Sequence, residues 1–328
     1  MRKIEKNISE TLAYFNLFQM PLTSWEIYKN LFNPEKNYFF SEILETLENM
    51  KNKSLHEQEG FYFFAGEEKN IAIRKERYLI ANEKIKKARQ YLRLIGILPF
   101  VRAIFICNDL GYLNAPEGSD IDLAIIAKKN RIWTARFFST LLMAILRKRP
   151  TAKSRKNKIC LSFYITEDNL SLEKIAYEND IHFVYWINQF MPIFQMENLA
   201  ERFSTENEWT RRFLPHSYPH KTNDRWSIKI NSFAKNTMEF FIKGKLGDLL
   251  ETILKKIQLK LFPRTLELKK LEENTDVIIN DKILKFHCKD CRLEIKKNWK
   301  EKTGRNVIRP DYFPLDSKSS AAREVKTL

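Results

Sequence analysis

The stretch Phe105–Lys129, FICNDLGYLNAPEGSDIDLAIIAKK, decides how the rest of the chain is read. Its ends, "FIC" and "IDLAIIA", have the apolar, β-branched character of strands, and the Asn-, Asp-, Gly- and Pro-containing run between them has the composition of a loop. Side chains at i and i+2 of a strand leave on the same face, so Asp120 and Asp122 project together while Ile121 and Leu123 point into a core. Strand geometry sets such a pair roughly 7 Å apart at Cβ, and two carboxylates held that way repel each other unless a cation lies near. Hard oxygen ligands with open positions suit Mg²⁺ or Mn²⁺ shared with the phosphates of a substrate.

Working outward, the alternating "VRAIFIC" is preceded by "RKERYLIANEKIKKARQYLRLIGILP", a basic amphipathic helix that should end near Gly96 and Pro99. After the Asp-x-Asp strand come a mostly buried helix, "RIWTARFFSTLLMAILRK", and a further strand, "KNKICLSFYIT". Strand, loop, strand, helix, strand describes helices packed on a small mixed sheet. Upstream, "EKNISETLAYFNLF" repeats apolar residues at helical spacing. "PLTSWEIYKNLF" offers Thr23 or Ser24 as N-cap with Glu26 in the first turn, and "SEILETLENMKNK" offers Ser41 as a cap. "SLHEQEGFYFFAGEEKNIAIR" then alternates around Gly60 and Gly66 like a small β-wing. Three helices and a wing form the pattern of a winged helix-turn-helix. Its third helix carries Glu42, Glu45 and Glu48, which weakens a DNA-reading role because phosphate contacts dominate nucleic-acid affinity. Downstream, Leu170 to about Phe262 reads as helix-rich, broken at Pro192 and at "LPHSYPH", and "TDVIINDKILKFHCKDCRLEIKKNWKEK" as a hairpin leading into a helix.

The segment "NDLGYLNAPEGSDIDLAII" resembles the nucleotidyltransferase motif of the DNA polymerase beta superfamily, a Gly-Ser pair, a short spacer, then Asp-x-Asp on a strand. Here ten residues, Leu110 to Ser119, separate Asn108-Asp109 from Asp120. "GSDIDLAIIAKKNRIWTARFF", with the later "KICLSFYITEDNL" and "LKFHCKDCR", is similar to the minimal nucleotidyltransferase domains that some bacterial proteins carry behind an amino-terminal winged helix. The resemblance implies an NTP ligand, a Mg²⁺ (or Mn²⁺) ion on Asp120 and Asp122, and transfer of a nucleotidyl group to a hydroxyl of a protein, RNA or small molecule. It also implies phosphate contacts at Asn108 and Asp109, where the family has Gly and Ser, and at Ser119. The nearby Lys128, Arg131 and Arg136 would offset charge. Family members also have a third carboxylate on a following strand, as proton acceptor. Lys158–Thr166 holds no acid, which leaves Asp109 as a candidate third metal ligand. The alternative is an impaired enzyme of the same fold, kept as a nucleotide-sensing, regulatory or docking module.

The chain is thus expected to be α+β, with an α/β sandwich-like core, in four parts. These are a winged helix-turn-helix over residues 1–80, a nucleotidyltransferase-like mixed-sheet domain over 81–170, a helical region with a short hairpin over 171–316, and a tail without fixed structure over 317–328. A net charge of +16 points to polyanions, so nucleic acid joins NTP and a small helical protein as an expected partner. No apolar run is long enough to span a bilayer and the amino terminus lacks a signal core, so no membrane partner is expected and the cytoplasm is the default. Four cysteines fit a reducing compartment. Cys288-x-x-Cys291 with His287 lacks the complementary pair of a closed zinc site. Cys107 and Cys160 read as core residues, His216 and His220 as loop residues, and Tyr185 and Trp186 as helix packing.

Overall fold

The structure, a computed structural model, describes residues 2–151, 153–218, 225–264, 266, 268, 275–287 and 290–304. The chain begins with helix α1 (Lys3–Asn16), strand β1 (Leu22–Thr23), helices α2 (Ser24–Lys29) and α3 (Phe40–Met50), and strands β2 (His56–Gln58) and β3 (Phe61–Phe63). The strands form a three-stranded antiparallel sheet in the order β1-β3-β2. Thr23 caps α2 as its sequence suggests: its Oγ1 accepts from the Glu26 amide, and the Glu26 carboxylate accepts from the Thr23 amide at 2.9 Å. Ser41 is not the cap of α3. That helix starts one residue earlier, where the Glu42 carboxylate takes the Phe39 amide at 2.7 Å. The wing is also shorter than its alternation suggests, because Lys69 onward belongs to α4 (Lys69–Ile97).

The second sheet is made by β4 (Val101–Ile106), β5 (Ile121–Ala127), β6 (Ile159–Thr166), β7 (Met191–Gln195), β8 (Val277–Ile279) and β9 (Ile283–Phe286). It is 6-stranded, in the order β7-β4-β5-β6-β9-β8. Only the β5–β6 pair is parallel, and helix α5 (Ile132–Ile145) supplies the crossover that such a pair needs. Further helices among the described residues are α6 (Ile181–Asn188), α7 (Leu199–Glu206), α8 (Ser232–Phe241), α9 (Gly244–Leu261) and α10 (Arg292–Thr303). The molecule is therefore a mixed α+β protein.

Residues after 170 do more than add helices. β7 and the β8–β9 hairpin extend the sheet that β4, β5 and β6 begin. Met191–Gln195 is a strand although its apolar run reads as a helix broken at Pro192. A proline lacks the amide that a central strand must donate, and β7 lies at the sheet edge where that loss is tolerated.

Alternate strand residues feed two cores. Leu123 and Ile125 of β5 pack with Ala81, Ile85 and Ala88 of α4 and Trp133 of α5. Ala124 and Ile126 face the opposite way, toward Trp186 of α6, and this second core runs without a break into Ile8, Leu12 and Leu47 of the amino-terminal helices. The parity of β5 sends Asp120 and Asp122 toward this α6 side, so the amino-terminal unit becomes a neighbour of the site.

Candidate functional site

The loop from β4 to β5 is held at several points. Asn108 opens a short 3₁₀ turn with φ of 57°, a left-handed conformation that glycine adopts freely and asparagine better than most other residues. Gly111 sits so close to α6 that a Cβ there would lie 2.8 Å from the Gln189 carbonyl oxygen. Asn114 donates to the Phe18 carbonyl at 3.0 Å, which ties the loop to the end of α1. Lys84 of α4 donates to the carbonyls of Glu117 and Ser119 at 2.9 and 2.6 Å, fixing the approach to β5.

At the start of β5 the expected pair converges. Asp120 is buried, and one Arg155 nitrogen donates to both its oxygens at 3.1 and 2.9 Å. Asp122 lies opposite Cys160 in the parallel register of β5 and β6. Ligand atoms of Asp120, Asp122 and Cys160 all lie within 4.8 Å of one another. Burial, and then the charge of Asp120, push the Asp122 carboxyl up to about 6 against opposing hydrogen bonds from Asn108 and Cys160. The Asn108 amide is used at both ends: its oxygen accepts from Trp186 Nε1 at 2.6 Å and its nitrogen donates to Asp122. Burial raises the Cys160 thiol far above its usual range, with Asp122 adding to the effect.

Asn108, Asp122, Arg155 and Cys160 line one wall of a cavity of about 540 Å³, with Asp120 behind Asp122. The facing wall comes from α6, β9 and the start of α10. There His182 bonds the Tyr14 hydroxyl at 2.8 Å, and burial lowers its pKa to about 4. Arg292 is buried and ion-paired to Asp180, Asp276 and Asp290, and Lys285 reaches Asp290 at 2.6 Å. Burial works against the Asp290 carboxylate, yet Lys285 and Arg292 hold its pKa well below the usual carboxylate range. Burial and then the Arg292 charge bring Lys285 down to about 8.

Not every candidate residue reaches this place. Asp109 lines the cavity with its pKa raised by burial, but it stands outside the Asp120–Asp122–Cys160 grouping. The Ser119 hydroxyl is used within its own turn, donating to the Pro116 carbonyl at 2.9 Å. Lys128, Arg131 and Arg136 do not line this cavity. Lys128 follows β5, whose far end strand rise carries about 17 Å from Asp122, and Arg136 is on α5. Arg131 pairs with Asp248 at 2.7 Å. Arg136 lies between the rings of Phe262 and Phe286, in the wall of a second cavity of about 520 Å³ that meets the first along Cys160, Ser162 and Phe286.

The cations that do line the cavity, Arg155, Lys285 and Arg292, come from other elements and carry no sequence signal among 57 lysines and arginines. Cys160 had a signal, since alternation on "KICLSFYIT" puts it in phase with Ser162, but only the parallel pairing sets it beside Asp122. Cys107 is a core residue as expected, Trp186 both packs and bonds Asn108, and His216 is buried in a ring stack with Tyr28. Cys288 and His220 lie outside the described residues, as does the expected tail. Searches against family models, curated proteins and solved structures found no match for this chain.

Proposed function

We propose that the chain binds a nucleoside triphosphate with a divalent cation and transfers its nucleotidyl group to a hydroxyl acceptor, on a nucleotidyltransferase-type site beside a winged-helix unit. The observation that carries this reading is that Asp122 lines a cavity large enough for a nucleotide and has an Asp120 carboxylate oxygen within 4.8 Å of its own. The donor chemistry fits the ion. Burial and then the Asp120 charge push the Asp122 carboxyl up to about 6, and a cation between the two carboxylates would relieve that penalty. Asp120 and Asp122 would hold Mg²⁺ or Mn²⁺, which when bound neutralises phosphate charge and makes a hydroxyl easier to ionise.

The other residues act around that pair. Asn108 takes the backbone conformation for which the family uses glycine and orients Asp122 through its side chain. Trp186 in turn fixes Asn108. Arg155, mostly exposed and bonded to Asp120, supplies positive charge at the cavity mouth for phosphate oxygens. The amino-terminal helices serve as cavity wall, through the Tyr14–His182 bond and the Phe18–Asn114 bond, more readily than as a DNA reader. The acidic face of α3 agrees with that role.

A second reading, nucleotide binding without turnover, is favoured by one observation. The neighbouring strand β6 holds no carboxylate and sets the Cys160 thiol, which burial keeps protonated, opposite Asp122. Calorimetric titration with each NTP and Mg²⁺ or Mn²⁺ tests both, using wild type and Asp120→Asn/Asp122→Asn. Metal-dependent binding lost in the double variant supports the site, and no binding by the folded chain refutes it. Binding without transfer, with turnover gained by Cys160→Asp, establishes the second reading.

A further inference from the structure

Helix α9 is fixed to α5 and the residue before it by polar side chains, beside the buried Leu254. Asp248 accepts from Arg131 at 2.7 Å, and Glu251 accepts from the amides of Trp133 and Thr134, each at 2.9 Å. Gln258 donates to the Trp133 carbonyl at 2.9 Å and accepts from Arg136 at 2.6 Å. Glu251 thereby does for the start of α5 what a capping residue would, since Arg131 at that position gives no side-chain cap. These bonds fix the rotation of α9 about its axis. The consequence is an uncovered apolar arc, Leu246, Leu249, Ile253, Ile257 and Leu261, exposed from 40% at Ile257 to 74% at Leu261. Phe240 and Phe241, at the end of α8, are 62% and 68% exposed and continue it. The arc cannot be hidden by turning the helix without breaking the bonds on its other side.

Charge identifies what covers it. Lys243, Lys245, Lys256 and Lys260 are exposed beside the arc, while the acids of α9, Asp248 and Glu251, are held by α5. An apolar stripe edged by lysines complements an anionic lipid surface, where the side chains sink to the acyl boundary and the ammonium groups stay among the headgroups. A second copy of this chain fits badly, because docking the same face on itself would set these lysines against each other in a protein of net charge +16. No helix among the described residues is long and apolar enough to cross a membrane, so the contact is a surface one, with α9 lying flat along its 18 residues, about 27 Å. We propose that the outer face of α8 and α9 docks on an anionic membrane surface.

The test is flotation of the full chain with vesicles of phosphatidylcholine alone or with phosphatidylglycerol added. Binding to the anionic vesicles that weakens with salt, and that falls by about tenfold or more in Leu249→Asp/Ile253→Asp, is the expected result. These side chains face solvent, and circular dichroism checks that the variant folds. Lys256→Glu/Lys260→Glu, which keeps the apolar arc, should lose binding to the anionic vesicles as well. A folded wild type that stays in solution with anionic vesicles overturns the proposal, as does binding untouched by either variant. So does a self-associated species in sedimentation velocity that Leu249→Asp/Ile253→Asp dissociates, because the face would then belong to a second copy.

Discussion

Replacing Asp122 by asparagine should make the cation-free protein more stable at neutral pH, although it destroys the centre of the site. Burial and the neighbouring Asp120 raise the Asp122 carboxyl from 3.8 to about 6 on folding. Below pH 3.8 the group is protonated in both states and contributes nothing. As pH rises from 3.8 through about 6 the unfolded chain ionises first, and the folded state is penalised increasingly until the cost is complete. At 1.36 kcal/mol per unit of pKa the full cost is about 3 kcal/mol, an upper figure because Asp122 keeps part of its surface open. Urea unfolding in EDTA, compared between wild type and Asp122→Asn, should show the variant more stable by about 1–3 kcal/mol near pH 7.5 and nearly equal near pH 4. Added Mn²⁺ should raise wild type alone and close the gap. A variant less stable than wild type near pH 7.5, or a gap indifferent to both pH and cation, would refute the electrostatic account of the site.

Three further outcomes follow from named contacts. His182 is buried and neutral with its pKa lowered to about 4, so its contribution is intact above 6.5 and is lost as pH falls from 6.5 to about 4. His182→Gln should flatten that limb in pH-resolved unfolding, separating it from the opposite slope of Asp122. Gly111→Ala forces a methyl toward the Gln189 carbonyl 2.8 Å away and should shift the loop, costing about 1–3 kcal/mol in unfolding experiments and weakening NTP binding. Arg155→Ala removes the cation that competes for Asp120 and should tighten Mn²⁺ binding several-fold in calorimetry, and unchanged or weaker affinity would show that Arg155 is not a competitor.

What could be read in the sequence was local. Period-two alternation made Asp120 and Asp122 neighbours on one face, and the Thr23–Glu26 spacing made a helix start, because both depend on a few consecutive residues. What failed was anything set by pairing between distant segments. β7 hid inside an apolar run that suits helix or strand equally, and only its edge place beside β4 explains Pro192. Lys128 is close in sequence to the aspartates, yet about 3.3 Å of rise per residue carries it past the far end of β5, and Arg131 and Arg136 belong to the turn into α5 and to α5 itself. Arg155 reaches Asp120 from the loop before β6, a placement fixed by the parallel pairing of β5 with β6.

Set against the motif that "NDLGYLNAPEGSDIDLAII" resembles, Asn108, Asp109 and Cys160 differ in weight once their surroundings are considered. Asn108 preserves what glycine supplies, a left-handed backbone, and adds an amide that ties Asp122 to Trp186, so this change does not argue against a working site. Asp109 is a true departure, because a carboxylate half-buried beside Asp120 offers phosphate no hydrogen bond, although burial raises its pKa in the direction that would blunt its repulsion. Cys160 matters most. A thiol held protonated by burial and by Asp122 cannot take a proton from an attacking hydroxyl, and among the described residues no other acid shares its grouping with Asp120 and Asp122. On the proposed function, binding and transfer would depend on different residues of one site: the aspartate pair and Asn108 would serve the first, and position 160 would limit the second. A chain that binds nucleotide tightly yet turns over slowly, and quickens with Cys160→Asp, is the behaviour this division requires.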